Sequence, residues 1–172
     1  NKLSKTYISR KLKINALSEV NLKIRMGEIV SIIGESGSGK STLAEILSGI
    51  KQKTSGEVKF LNKEIGRDIL SSLNSIQIIF QDSSSSMNLE LSIENILKEP
   101  FLLLREKTSF STEKMKEYLN RLGFPTSKEF LNRKAKYLSC GEKQSLSIVR
   151  ELLLEPKLLI SDEITYMLDP SR

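Results

Sequence analysis

Apolar positions along the chain change their period several times, and each change predicts a different element. Residues 28–33 (Glu-Ile-Val-Ser-Ile-Ile) form a short apolar run halted by the glycine-rich stretch Gly34 to Gly39, the pattern of a buried strand. Leu43, Ile46, Leu47 and Ile50 then recur at helical spacing, with Gly49 near the C-terminal cap. Residues 56–61 and 76–80 read as two further strands. Ser92 can cap a short helix that ends before Pro100, and Met115, Tyr118, Leu119 and Leu122 make an apolar stripe on another, closed by Gly123 and Pro125. A third helix begins at Ser139, whose hydroxyl and Glu142 three residues on form a capping box. It runs through Leu146, Val149, Leu152 and Leu153 to a stop at Pro156. Residues 157–161 are a last strand leading into Asp162-Glu163. Strands alternating with helices predict an α/β sheet, with a mostly helical insertion over about 83–138.

Composition narrows the chemistry. The 172 residues hold 27 Lys+Arg against 21 Asp+Glu, a net charge of +6, with no histidine and one cysteine. That excess suits nucleic acid, an anionic membrane face or neither. Without histidine there is no Ser/His/Asp or Cys/His triad and no His-ligated metal. Cys140 alone allows neither an internal disulfide nor a multi-cysteine zinc site, and it fits a reducing compartment. No run reaches about 18 uncharged apolar residues, so the sequence predicts no membrane-spanning helix. The chain opens at Asn1 inside a strand pattern and stops nine residues after Glu163, which leads us to expect part of a longer protein.

Gly34-Glu35-Ser36-Gly37-Ser38-Gly39-Lys40-Ser41 satisfies G-x-x-x-x-G-K-[ST] in full. In such a loop the glycines let backbone N–H groups turn inward around phosphate oxygens, the lysine adds a point charge, and the serine hydroxyl can ligate Mg²⁺. The helix that follows presents its positive end to the same anion. Asp162 and Glu163, after a mainly apolar strand, suit the second half of a nucleotide site. There Asp162 holds Mg²⁺ through water and Glu163 acts as general base toward the attacking water.

Leu138-Ser139-Cys140-Gly141-Glu142-Lys143-Gln144, taken with these motifs in this order, resembles the ABC ATPase family, whose signature is L-S-G-G-[QE]. The resemblance covers nearly the whole chain. It implies a P-loop NTPase core with a mainly parallel sheet, an N-terminal antiparallel β portion and an inserted helical subdomain. The corresponding layout is 1–82 for the β portion and P-loop core, 83–155 for the helical subdomain with the signature helix, and 156–172 for the return to the core. Tyr7, 33 positions before Lys40, falls where the family stacks an aromatic on adenine. Gln81 matches the glutamine that senses Mg²⁺ and the γ-phosphate, and Tyr166 to Asp169 matches the D-loop. The resemblance therefore implies nucleotide contacts from Tyr7, Gly34, Ser36, Gly37, Ser38, Gly39, Lys40, Ser41, Thr42, Ser139, Gly141, Glu142 and Asp169. It implies catalysis by Glu163 with Gln81, Mg²⁺ held by Ser41, Gln81 and Asp162, and ATP with Mg²⁺ as cofactors. Four positions depart from the pattern: Cys140 replaces a glycine, Ser145 an arginine, Ile164 a proline, and Ser161 a hydrophobic residue. The family's switch histidine lies beyond Arg172, so little ATPase activity is expected of these 172 residues alone.

In the family two such domains face head to tail, each P-loop's γ-phosphate meeting the partner's signature helix. The implied partners are a second ABC ATPase subunit, in a homo- or heterodimer, multi-spanning permease subunits and an extracytoplasmic solute-binding protein. No nucleic acid is implied, and the implied place is peripheral, on the cytoplasmic face of the membrane. The run Phe80-Gln81-Asp82-Ser83-Ser84-Ser85-Ser86-Met87-Asn88 is similar to the F-Q-D-P-x-S-S-L-N run of peptide and nickel importer ATPases, without its proline. Import of peptides, nickel or a metal chelate is the favoured function. The alternatives are an exporter ATPase, or a soluble ABC ATPase acting on nucleic acid or ribosomes. Ser139 lies 99 positions after Lys40, and the stretch between them holds no sustained heptads, unlike the coiled-coil DNA-maintenance relatives.

Overall fold

The computed structural model describes residues 1–9, 12–65, 75–103 and 109–162. Two compact units, Asn1–Leu73 and Asn74–Arg172, divide the chain.

In the first unit, strands β1 (Leu3–Ser9) and β2 (Leu12–Val20) pair antiparallel, with Leu3 opposite Val20, Tyr7 opposite Ile14 and Ser9 opposite Leu12. The register shifts on either side of Lys5. Helix α1 (Lys40–Leu47) lays Leu43 and Ile46 on Leu3 and Leu17, and these four side chains are the unit's buried core. Gly49 closes the helix at φ +82°, donating its N–H to the Ile46 carbonyl at 3.1 Å. Beyond it, β3 (Lys59–Phe60) and β4 (Lys63–Glu64) form a two-residue hairpin. Its loop residues, Leu61 and Asn62, both have positive φ, as a tight hairpin turn demands.

In the second unit, β5 (Ile76–Ile79) and β6 (Leu158–Ser161) run parallel in register from Ile76 opposite Leu158 to Ile79 opposite Ser161. Helices α2 (Ile93–Leu103), α3 (Thr112–Arg121), α4 (Lys128–Asn132) and α5 (Cys140–Leu152) supply most of the unit's larger core. Ile93, Ile96, Leu97, Met115, Leu119, Leu146 and Val149 are fully buried there. The helix ends follow local chemistry. Ser111, Ser127 and Ser139 each accept a hydrogen bond from the N–H three residues on. Helix α3 ends in a Schellman pair: the Gly123 N–H bonds the Asn120 carbonyl at 3.0 Å, and the Phe124 N–H the Leu119 carbonyl at 2.9 Å. Gly123 takes the required positive φ of 76°, and Phe124 is buried beside the turn.

The structure corrects three expectations. Residues 28–33 join no sheet ladder among the described residues, and Ile29 and Ile33 are 95% and 94% exposed. An apolar run becomes a buried strand only where neighbouring strands pair with it, and none of those described does. The strand expected over 56–61 contracts to Lys59–Phe60, because the positive φ of Gly56 and Leu61 bends the chain on both sides. Helix α2 does not stop before Pro100 but continues through it to Leu103. The missing proline N–H costs one helical bond to the Ile96 carbonyl. Ile93, Ile96 and Leu97 are fully buried on the same helix, and this packing outweighs the loss.

Candidate functional site

The loop between residues 34 and 39 owes its shape to its glycines and to the strand behind it. The Ser38 N–H closes a turn on the Glu35 carbonyl at 3.2 Å. Gly37 has φ +81° with open space around its α-carbon, so glycine is required there for conformation alone. Gly39 is required twice over. It caps α1 at φ +97°, and a β-carbon there would lie 2.4 Å from the Ala16 carbonyl oxygen and 3.0 Å from Leu17 Cδ2. The start of α1 is thereby pressed directly against β2.

The N-terminus of α1 carries no side-chain competitor of its own for an anion. Gly39 supplies no capping side chain, and the first turn of α1 holds no carboxylate. The N–H groups and dipole of that turn therefore favour negative charge. Lys40 curls back over the loop and donates to the carbonyls of Gly34 at 2.7 Å and Glu35 at 2.8 Å. An anion at the loop competes for the same ammonium protons, with the advantage of full charge. Ser41 is exposed on this turn and Thr42 is half-buried.

Tyr7 belongs to the same neighbourhood. Its hydroxyl lies 3.5 Å from Thr42 Oγ1, a distance either oxygen can bridge as donor. The Lys5 and Lys51 ammoniums stand 5.0 and 5.6 Å from the ring centroid. Lys51 also pairs with Glu45 at 2.7 Å, and that hydrogen bond raises its pKa above the usual lysine value.

The second unit gathers a different set. The Asp162 N–H donates to the Ile79 carbonyl at 3.0 Å, extending the β5–β6 ladder by one bond. This register brings Asp162 and Gln81 to the same carboxyl end of two parallel strands, the end where ligands bind in open α/β sheets. Their carboxylate and amide oxygens are hard donors of the kind Mg²⁺ accepts alongside phosphate and water. No cluster of three or more His, Cys, Asp or Glu side chains converges among the described residues, so those residues form no all-protein metal cage.

At the head of α5 the capping box is complete. Ser139 Oγ accepts from the Glu142 N–H at 3.2 Å, and the Glu142 carboxylate accepts from the Ser139 N–H at 2.8 Å. Cys140 is exposed in the first turn beside half-buried Gly141. Glu163 and Asp169 lie outside the described residues, as do Ile164 and Tyr166.

Sequence reasoning missed a polar set on α5, in which Gln144 and Glu151 are buried and Arg150 is partly buried. Gln144 is 1% exposed and donates its amide to the Phe80 carbonyl at 3.3 Å. Arg150 donates to the Ser86 carbonyl at 2.9 Å and pairs with Glu151, itself buried. Burial pushes the Glu151 carboxyl above the usual carboxylate range, against the opposing pull of Arg150. The available signal was the interruption of a wide apolar face by polar residues that the helix buries.

The family model described as ABC transporter matches residues 17–166. The chain belongs to the ABC transporter family. It is similar to the oligopeptide transport ATP-binding protein OppF of Haemophilus influenzae, 32% identical over 169 residues covering 96% of this chain and 51% of that protein. It is likewise similar to the nickel import ATP-binding protein NikE of Brucella suis, 34% identical over 174 residues covering 96% of this chain and 64% of that one. Among solved structures it resembles the ATP-binding cassette MJ0796 in a dimeric post-hydrolysis state bound to ADP and Pi. The TM-score is 0.84 at 30% identity, covering 99% of this chain and 75% of that one. The chain thus spans between half and two thirds of the length of these curated relatives. The fold is that of the ABC cassettes, a P-loop core with an antiparallel N-terminal hairpin, a parallel strand pair and a helical portion.

Proposed function

We propose that this chain is the nucleotide-binding and hydrolysing part of an ABC importer ATPase subunit. The reading rests above all on the cradle at 34–42, where Gly39 brings an uncapped helix N-terminus against β2 and Lys40 closes over the loop. The N–H groups of that loop and the Lys40 ammonium bind the β- and γ-phosphates of ATP, and Tyr7 takes the adenine ring. The remaining expected loop contacts, from Gly34, Ser36, Gly37, Ser38, Ser41 and Thr42, belong to the same reading. Mg²⁺, when bound, neutralises charge on the phosphates; Ser41, Gln81 and Asp162 would hold it. Glu163 takes the proton of the attacking water, and Gln81 orients that water.

Ser139, Gly141 and Glu142 at the head of α5, with Asp169, serve the nucleotide of a second subunit. Two subunits therefore close on ATP and reopen after hydrolysis. The layout 1–82, 83–155 and 156–172 divides this work between core, helical subdomain and return to the core. Permease subunits spanning the membrane and a solute-binding protein complete the assembly, at the cytoplasmic face. No described helix is long and apolar enough to cross a membrane itself. The names of OppF and NikE, with the Phe80-to-Asn88 run, support peptides, nickel or a metal chelate as the solute.

The test is Glu163→Gln in the full-length subunit, followed by chromatography with ATP. It should bind ATP, turn over at less than a hundredth of the wild-type rate, roughly the share of catalysis a general base supplies, and accumulate as a dimer. Wild-type turnover would remove Glu163 from the role of base.

A further inference from the structure

Gln81 leaves its strand at a point held from two sides. The Ile79 carbonyl accepts the Asp162 N–H at 3.0 Å, and the next carbonyl, Phe80, accepts the Gln144 amide at 3.3 Å. Six residues along α5 from Gln144, Arg150 Nη1 donates to the Ser86 carbonyl at 2.9 Å. Arg150 is itself oriented: its Nε lies 3.0 Å and its Nη2 2.9 Å from one oxygen of the buried Glu151. Both ends of the 80–86 segment are therefore tied to one helix. Within the segment, the Ser85 hydroxyl bonds the Asp82 carbonyl at 2.9 Å and a 3₁₀ turn spans Ser83–Ser86, so the segment is short and internally braced.

Gln144 is buried and Arg150 partly buried, and a primary amide or guanidinium withdrawn from water is costly unless paired. Both hydrogen bonds go to backbone carbonyls of the segment carrying Gln81. Such bonds do not depend on the side chains at 80 or 86; they fix where the backbone runs.

We propose that Gln144 and Arg150 are positioning residues that fasten the Gln81 segment to helix α5, so that the reach of Gln81 toward the terminal phosphate follows the position of α5. This rests on the reading of Gln81 given under Proposed function. Because Ser139 and Gly141 sit at the N-terminal end of the same helix, α5 ties the contact made with a second subunit's nucleotide to the Gln81 of its own.

The test uses the full-length subunit in its assembled transporter. Gln144→Met keeps the shape and removes the donor. Arg150→Met with Glu151→Gln removes the second clamp without stranding a buried carboxylate. Each should lower kcat by up to about a hundredfold, as an ångström-scale misplacement does, with KM for ATP unchanged. Arg150→Lys, which keeps a donor, should recover most of the rate. Backbone amides at 81–86 should exchange hydrogen faster in Gln144→Met while those in the middle of α5 do not. Gln81→Ala with Gln144→Met should be no slower than Gln81→Ala alone. Additive losses, or a wild-type kcat in both clamp variants, would overturn the proposal. Unchanged exchange at 81–86 would remove the clamp while leaving the reading of Gln81 standing. Wild-type turnover in Gln81→Ala would remove that reading and the proposal with it.

Discussion

Replacing Gly39 by alanine tests whether the anion cradle is built by the contact of α1 with β2. Two penalties act on the new methyl group. The backbone at φ +97° is in a region that costs an L-residue about 1–2 kcal/mol. The methyl carbon would also lie 2.4 Å from the Ala16 carbonyl oxygen, a separation that forces backbone to move, for about 1–3 kcal/mol more. The sum is about 2–5 kcal/mol. The displaced group is the first turn of α1, so the loss falls on nucleotide binding as well as on stability. Gly37→Ala is the internal control, since φ is +81° there but nothing lies within 4 Å of the added carbon. It should cost only the conformational term, about 1–2 kcal/mol. Urea unfolding of the three proteins measures stability, and titration with a fluorescent ATP analogue measures affinity. Gly39→Ala should weaken the analogue by about fivefold or more beyond Gly37→Ala, since 1.4 kcal/mol is a factor of ten. Equal losses in the two variants would refute the claim that close packing on Ala16 sets the loop.

Two other perturbations follow from the geometry around α5. Ser139→Ala removes the hydroxyl that accepts the Glu142 N–H and should cost about 1 kcal/mol in a urea melt. It should also slow ATP turnover of the assembled dimer while leaving single-subunit nucleotide binding intact. Unchanged turnover would confine Ser139 to capping. Glu151→Gln probes the buried carboxyl through pH. The folded protein favours the protonated acid, because burial raises its pKa above the unfolded value. Its stability relative to the non-titrating glutamine variant is therefore greatest below the ordinary carboxylate range and declines as pH rises through the raised pKa. Urea melts of both proteins across the acid-to-neutral range measure the difference, and a difference that grows with pH would contradict the assignment.

Legibility followed the range of the forces involved. Local chemistry was readable: the Ser139–Glu142 box, the glycine stops at Gly49 and Gly123 and the loop at 34–41 each depend on residues a few positions apart. The parallel strands at 76–79 and 158–161 also showed, because their apolar runs are short and bounded. What failed depends on partners distant in sequence. The run at 28–33 has the composition of a central strand but no ladder among the described residues to complete it. Pro100 stays helical because Ile93, Ile96 and Leu97 are locked into a core that no local rule contains. The bonds of Gln144 and Arg150 were not legible, since their partners, the carbonyls of Phe80 and Ser86, are backbone atoms 64 positions away in each case.

The central claim is that the 34–42 loop binds nucleotide through its backbone and Lys40. Isothermal titration of Mg-ATP into the full-length subunit and its Lys40→Ala variant tests it most directly. The account predicts saturable one-to-one binding by the wild type and a loss of at least a hundredfold in affinity in the variant. This corresponds to roughly 3 kcal/mol for a charge-assisted contact to phosphate. Equal affinity of the two proteins for Mg-ATP would contradict it.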